Sequence, residues 1–290
     1  MHKIAISPAA LDRMTRRMGK LHPFDTLAPR KTGLLVIDMQ NYFVKPGHQG
    51  EIPAAREIVP NINRLAAGLR RRGGHVVWIR NGTRDTRESW STLHENLMTP
   101  ERVERRLTDM DIDGEGYAYW HLNDIRPEDA QITKTRYSAF IQGASTLEQH
   151  LRDRGIDTLL ITGTATNVCC ESSARDAMML NFKVVMVSDA LATHTDEEHN
   201  ATLSTFYGQF GDVQTTDQSL QSLERGGVVL PSSPRGGTPP IRFAVILFTP
   251  QTTSRHCRGR CVRGRRRRPA AAPKTRAPAS STDTDDRRKT

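Results

Sequence analysis

Aromatic residues make up only 6% of this 290-residue chain, cysteine occurs four times, and no apolar run approaches the length needed to cross a bilayer. Four cysteines, placed as the adjacent pair Cys169-Cys170 and the distant Cys257 and Cys261, do not make a disulfide framework in a chain this long. The N-terminus lacks the unbroken apolar core of a signal peptide, because Ile4-Ala-Ile6 is interrupted by Ser7-Pro8. The expectation is a cytoplasmic, reducing setting with no membrane association, which suits a free thiol. No internal repeat is present.

The net charge of +10 points towards nucleic acid until it is located. Residues 226–290 hold 15 Lys and Arg against 3 Asp and Glu, whereas the preceding 225 residues hold 27 against 29. The body is therefore nearly neutral. The tail, rich in Pro, Gly, Ser, Thr and Arg and containing Arg265-Arg-Arg-Arg268, cannot bury enough apolar area to fold alone. It reads as a disordered appendage that binds nucleic acid only non-specifically. Phe243-Ala-Val-Ile-Leu-Phe248 is its one strand-like run, and His256 with Cys257 and Cys261 is an incidental cluster lacking a second ligand pair. The chain divides into an arm over 1–30, a folded domain over 31–222 and a low-complexity basic tail over 223–290.

Within the body, strand-like runs fall at 34–39, 75–80, 131–134, 158–163, 183–188 and 212–215, with helical patterns between most of them. Such alternation is the signature of βαβ units and a doubly wound, mainly parallel sheet with helices on both faces. Ile58, Ile62, Leu65 and Leu69 mark one crossover helix. The long connection from Gly82 to Pro127 exceeds the minimal unit. Its charged helix near Thr99–Thr108, flanked by Trp90, Tyr117, Tyr119 and Trp120, either covers a pocket, meets a partner subunit or packs down on the sheet.

The strand Thr158-Leu-Leu-Ile-Thr-Gly163 runs through a turn of small residues into a helix near Cys169. A cysteine at the positive end of a helix macrodipole is drawn from its reference pKa towards thiolate, and unpaired N–H groups there can hold an oxyanion. Asp38 ends the apolar run Leu34-Leu-Val-Ile37, and Lys134 ends Gln131-Ile-Thr133. In open α/β sheets the carboxyl ends of strands form the ligand crevice, so the three groups can converge there. Cys170 falls in helical phase with Ala174, Ala177 and Met178 and reads as core packing. His94, His121, His194 and His199 have no placed partner and read as surface or satisfied histidines.

Three segments, LLVIDMQNYF (34–43), KTRYSAF (134–140) and GTATNVCCESSARDA (163–177), together resemble the isochorismatase-like cysteine hydrolases. The ureidoacrylate amidohydrolases are the most similar branch, sharing Asn81-Gly82 after the second strand. The resemblance covers roughly residues 30–222. It implies six strands in the order 3-2-1-4-5-6 and a catalytic triad of Asp38, Lys134 and Cys169. It also implies a cis peptide between Thr164 and Ala165, and an oxyanion hole from the N–H groups of Ala165 and Cys169. Asn81 is the candidate for holding a ureido or carboxamide group. Tyr137 and Arg136 either contact substrate or brace the loop, and Asn167 stabilises the turn.

The nicotinamidase branch carries histidines for a metal after the second strand, but the sequence from Asn81 to Glu88 has none. No metal and no cofactor are therefore expected. The isochorismate-cleaving branch works without a cysteine nucleophile, so Cys169 argues against that chemistry. The leading expectation is an amidohydrolase for a small linear ureido, carbamoyl or carboxamide substrate, assembled as a homo-oligomer. The alternatives are an amidase for another small or aromatic amide, and a non-catalytic protein that binds through its tail.

Overall fold

Alternation along the strands, rather than overall hydrophobicity, builds the two faces of the sheet. The computed structural model describes residues 1–227, and the features expected of Phe243–Phe248, His256–Cys261 and Arg265–Arg268 lie outside them. Six strands, β1 (Thr32–Ile37), β2 (His75–Asn81), β3 (Ala130–Lys134), β4 (Thr158–Thr164), β5 (Lys183–Ala192) and β6 (Asp212–Gln214), pair in the order β3-β2-β1-β4-β5-β6. Every pair is parallel. This is the doubly wound order that the resemblance implies.

Leu35, Ile37, Val77, Ile79, Leu159 and Ile161 pack into one apolar layer. Their neighbours Leu34, Val36, Val76, Trp78 and Leu160 pack into the other. The helix Ala55–Arg70 turns Ile58, Ile62, Leu65 and Leu69 onto the second layer, as their spacing predicts. The helices Leu147–Arg152, Glu171–Met179 and Asp196–Gln209 cover the first. Full burial of one Leu or Ile side chain contributes about 1.5–3 kcal/mol, so these two layers outweigh the exposed ion pairs, each worth about 0–1 kcal/mol. No helix among the described residues is long and apolar enough to cross a membrane.

The arm holds an element absent from the sequence reading. The Ser7-Pro8 that breaks the apolar start is a helix start: Ser7 Oγ accepts from the Ala10 N–H at 3.2 Å, and Pro8 occupies the first turn of a helix over Pro8–Met18. Ala10 and Met14 bury its inner face in the first apolar layer. At the other end, the helix Thr216–Gly226, opened by a capping box between Thr215 and Gln218, carries regular structure four residues beyond position 222.

One glycine decides how closely the central strands meet. Gly163 has φ +108°, and a Cβ there would lie 2.0 Å from the Ile37 carbonyl oxygen. Any side chain would push the end of β4 away from β1, the two strands whose ends carry Asp38 and the Cys169 turn.

The same region holds a buried histidine that titrates against the fold. His199 is fully buried, its Nδ1 lies 2.9 Å from Thr166 Oγ1, and its ring stacks on His2 at 4.4 Å. Burial, reinforced by His2, pushes its pKa down to about 4 from the model-compound 6.5. Below pH 6.5 the unfolded chain takes up a proton here that the folded chain refuses. Stability from this group is thus fully present at neutral pH and is lost as pH falls towards 4. His75, also held down to about 4, acts in the same direction. In urea melts at pH 7.0, 5.5 and 4.5, His199→Gln should show a shallower loss of stability with acidity than the wild type; parallel losses would remove His199 from this account.

Candidate active site

Two charges meet in the interior at the carboxyl edge of the sheet. Lys134, the last residue of β3, and Asp38, the first residue after β1, are both fully buried, and Lys134 Nζ donates to Asp38 Oδ2 at 2.8 Å. Asp38 has φ +54°, a left-handed conformation uncommon for a residue with a side chain, so the chain turns sharply as it leaves β1. Its backbone is held on both sides: its N–H donates to the Ile79 carbonyl, and its carbonyl accepts from Thr164 Oγ1 at 3.1 Å. Lys134 Nζ also donates to the Arg136 carbonyl. Burial opposes the ammonium form, but the charge and hydrogen bond of Asp38 help to outweigh it and hold the lysine pKa above its ordinary value. The Asp38 Oδ1 atom has no hydrogen-bond partner among the described residues.

Cys169 comes to the pair from the other side of the switch in strand order. After β4 the Thr164–Ala165 peptide is cis, and the chain winds through a wide turn over Thr166–Cys170 before the α-helix Glu171–Met179 begins. The thiol is therefore inside the first, π-type turn instead of on the exposed tip of an α-helix. That placement reverses its expected state. Burial pushes the Cys169 thiol up to about 12; Lys134 offsets part of this, and Asp38 adds to it. Desolvation wins over the dipole, and the resting group is a neutral thiol next to the Lys134–Asp38 pair. Cys170 is fully buried in the same layer as Ala174 and Ala177, with Met178 packed against it. Its helical phase is the one expected of a core residue.

A cavity of about 350 Å³ opens onto Cys169. Asn81 and Tyr137 line it with Ala165, and so do Tyr42 and Arg106. Asn81 ends β2 beside Lys134 and is buried, and its Nδ2 has no partner among the described residues. Gln40 holds its backbone: Oε1 accepts from the Asn81 N–H at 2.7 Å, and Nε2 donates to the Asn81 carbonyl at 3.0 Å. Tyr137 reaches the cavity, whereas Arg136 braces the loop by donating to Ser89 and Thr135 carbonyls and covering Trp90. Asn167 accepts from Thr193 Oγ1 at 2.6 Å, tying the turn to the end of β5.

The long excursion does two jobs. Tyr117 and Tyr119 pack it onto the sheet, with the Arg80 guanidinium 4.5 and 4.6 Å from their rings and the Tyr119 hydroxyl donating to the Trp78 carbonyl. Trp90 instead buttresses Tyr137 edge-on at 4.7 Å. The helix Pro100–Asp109, capped by Thr99, supplies Arg102 and Arg106 to the cavity wall. Arg106, Tyr42, Gln40 and the cavity-lining His194 escaped the sequence reading. The available signal was the helical phase of Val103 and Arg106, which places them on one face. Among the described residues no group of three or more His, Cys, Asp or Glu side chains is arranged to hold a metal.

A neutral resting thiol has a kinetic signature. Alkylation of Cys169 by iodoacetamide, followed by peptide mass mapping, should accelerate about tenfold per pH unit from pH 7 to 9.5 without levelling, as expected for a group titrating near 12. A plateau below pH 9 would reveal a resting thiolate and refute the dominance of burial.

Comparison with known proteins places this geometry. The sequence model described as Isochorismatase domain matches residues 32–218. The ureidoacrylate amidohydrolase RutB of Klebsiella variicola is 30% identical over 214 residues, covering 67% of this chain and 89% of its own length. The uncharacterized isochorismatase family protein YwoC of Bacillus subtilis is 29% identical over 195 residues, covering 67% and 95%. A solved cysteine hydrolase from Pseudomonas syringae pv. phaseolicola shares the fold with a TM-score of 0.60 at 24% identity, covering 69% of this chain and 95% of that one. With a doubly wound sheet of the expected order and a family match spanning all six of its strands, the chain belongs to the isochorismatase family.

Proposed function

We propose that the protein is a cysteine-dependent amidohydrolase that cleaves a linear C–N bond in a ureido, carbamoyl or carboxamide substrate. The observation that carries this reading is the buried Lys134–Asp38 pair coupled to the Cys169 thiol, which itself lines a cavity whose wall holds an unpartnered amide, Asn81. Asp38 accepts the thiol proton as Cys169 Sγ attacks the substrate carbonyl carbon, and the carbonyl π pair moves onto oxygen. Lys134 stays protonated, so negative charge passing between Asp38 and Sγ remains beside a cation throughout. The N–H groups of Ala165 and Cys169 are the proposed donors to the oxyanion. Collapse of the adduct breaks the C–N bond, and Asp38 returns its proton to the leaving nitrogen. The resulting thioester or thiocarbamate is attacked by water, whose proton goes to Asp38, and the thiol is restored. The Asn81 amide is the proposed hold on the ureido or carboxamide group.

The neutral thiol costs this scheme little. Proton transfer to an adjacent carboxylate within one step avoids forming a free thiolate in a low-dielectric site, where it would be poorly solvated.

Ammonia release from a panel of short ureido acids and primary carboxamides tests the reading. Cys169→Ala should lower turnover by at least about 1000-fold, whereas Cys170→Ala should keep near wild-type turnover and lose about 1–2 kcal/mol of stability from its core layer. Equal activity loss in the two folded variants would overturn the assignment of the nucleophile. Chelation should leave the rate unchanged, and a loss restored by zinc would show that metal chemistry has been missed.

A further inference from the structure

One side chain of the arm reaches the contacts that hold the Cys169 turn. Residues 2–7 run beside the helix Asp196–Gln209 and are held by three of its side chains, spaced one turn apart on a single face. Asp196 Oδ1 lies 2.7 Å from His2 Nδ1. Asn200 accepts from the Ala5 N–H at 2.7 Å and donates to the Lys3 carbonyl at 2.9 Å, and Ser204 Oγ accepts from the Ser7 N–H at 2.9 Å. His2 does more than join this ladder. Its ring is buried, and its Nε2 accepts from the Thr193 N–H at 3.0 Å. A backbone N–H can only donate, so Nε2 presents a lone pair and the ring proton sits on Nδ1, which donates it to Asp196. Both ring nitrogens are thereby engaged, and the ring face stacks on His199 at 4.4 Å.

The two residues that His2 braces from behind are the two that hold the turn in front. Thr193 Oγ1 donates to Asn167 Oδ1 at 2.6 Å, and His199 Nδ1 lies 2.9 Å from Thr166 Oγ1. Thr166 and Asn167 are the first two residues of the turn Thr166–Cys170. The far end of that turn is fixed by its own helix, where Ser173 Oγ donates to the Cys169 carbonyl at 2.7 Å. Its near end depends on side chains delivered by β5, by the helix Asp196–Gln209 and, behind both, by the arm. Thr166, Thr193 and His199 are all buried, so a hydrogen bond broken here is not simply replaced by one to water.

We propose that His2 is a positioning residue for the nucleophile turn, so that docking of the arm sets the geometry and the reactivity of Cys169. His2 does not line the cavity; it acts through Thr193 and His199. With His2 in place, the thiol is held inside the turn and away from water. Without it, the near end of the turn loosens, water reaches Cys169, and the thiol ionises more readily. The Ala165 and Cys169 N–H groups lose their alignment at the same time. Thiol reactivity therefore rises while turnover falls. The effect on turnover rests on the reading of Cys169 as nucleophile and of those N–H groups as oxyanion donors; the effect on thiol reactivity does not.

Alkylation of Cys169 and Cys170 by iodoacetamide at pH 8, followed by peptide mass mapping, tests this on the full-length protein and on His2→Ala, His2→Phe and His2→Gln. H2A should accelerate Cys169 about tenfold while Cys170, in the core, stays unmodified. H2F keeps a ring against His199 but offers Thr193 no acceptor, and should behave nearly as H2A does. H2Q offers an acceptor again and should recover most of the wild-type protection. An unchanged Cys169 rate in H2A would overturn the proposal, and so would parallel modification of Cys170, which reports general unfolding. Should H2A fail to fold, faster alkylation in H2F than in H2Q upholds the role of His2, and equal rates in the two refute it. Ammonia release is then followed on the same proteins, where kcat should fall about tenfold in H2A and by more than KM rises. A wild type that releases no ammonia, with the alkylation pattern intact, would uphold the positioning role while refuting the hydrolytic reading.

Discussion

The ion pair between Lys134 and Asp38 is the constraint around which the rest of the molecule is arranged. Both side chains are fully buried, and two charges taken out of water recover their desolvation cost only in close, well-supported geometry. Removing one partner of such a pair costs about 3–5 kcal/mol. The pair therefore demands that three strands end in register. β3 must deliver Lys134 opposite Asn81 on β2, and Asp38 must hang its N–H from the Ile79 carbonyl of the same β2. It also demands a roof over β3, which is an edge strand. The residues after Lys134 and the excursion after Gly82 supply it, clamped together where Arg136 donates to the Ser89 carbonyl and covers Trp90.

What could be read in advance follows from which forces leave a local mark. Strands buried on both faces are written as uninterrupted apolar runs, so β1, β2 and β4 were visible to within two residues at their ends, and β5 was visible at its start but runs four residues past the expected 188. Asp38 and Lys134 were visible because a charge closing such a run is conspicuous. The strand order was not written locally and came from the resemblance. The helix Pro8–Met18 was missed because Ser7-Pro8 was weighed only as a break in hydrophobicity, although a serine cap with proline in the first turn is also a start signal. Arg106 was missed for the opposite reason. In a helix containing Glu101, Arg102, Glu104 and Arg105, one more charge looks solvated, and only the tertiary fold reveals that its face turns inward.

The thiol shows how two correct local arguments can be ranked only by burial. A helix start does favour the thiolate, and typically supplies about 0.3–1 kcal/mol to a surface group. Desolvation of a fully buried group can shift a pKa by about 3–5 units, several times that amount. Cys169 is 4% exposed and lies within a wide π-type turn, so burial prevails. Its sequence neighbours could not announce this, because the burial comes from segments brought in by the sheet.

Electrostatic accounting around the cavity joins these observations. Behind the cavity, the Lys134–Asp38 ion pair is neutral in sum, and burial favours the neutral form of the Cys169 thiol that lines it. The wall is not neutral, since Arg102 and Arg106 line it without an acidic neighbour on that surface. The strand ends and the turn after β4 bring Asp38, Lys134 and Cys169 together, while the excursion after β2 supplies part of the cavity wall, so the first was legible in three short motifs and the second was hidden in a helix that reads as ordinary surface.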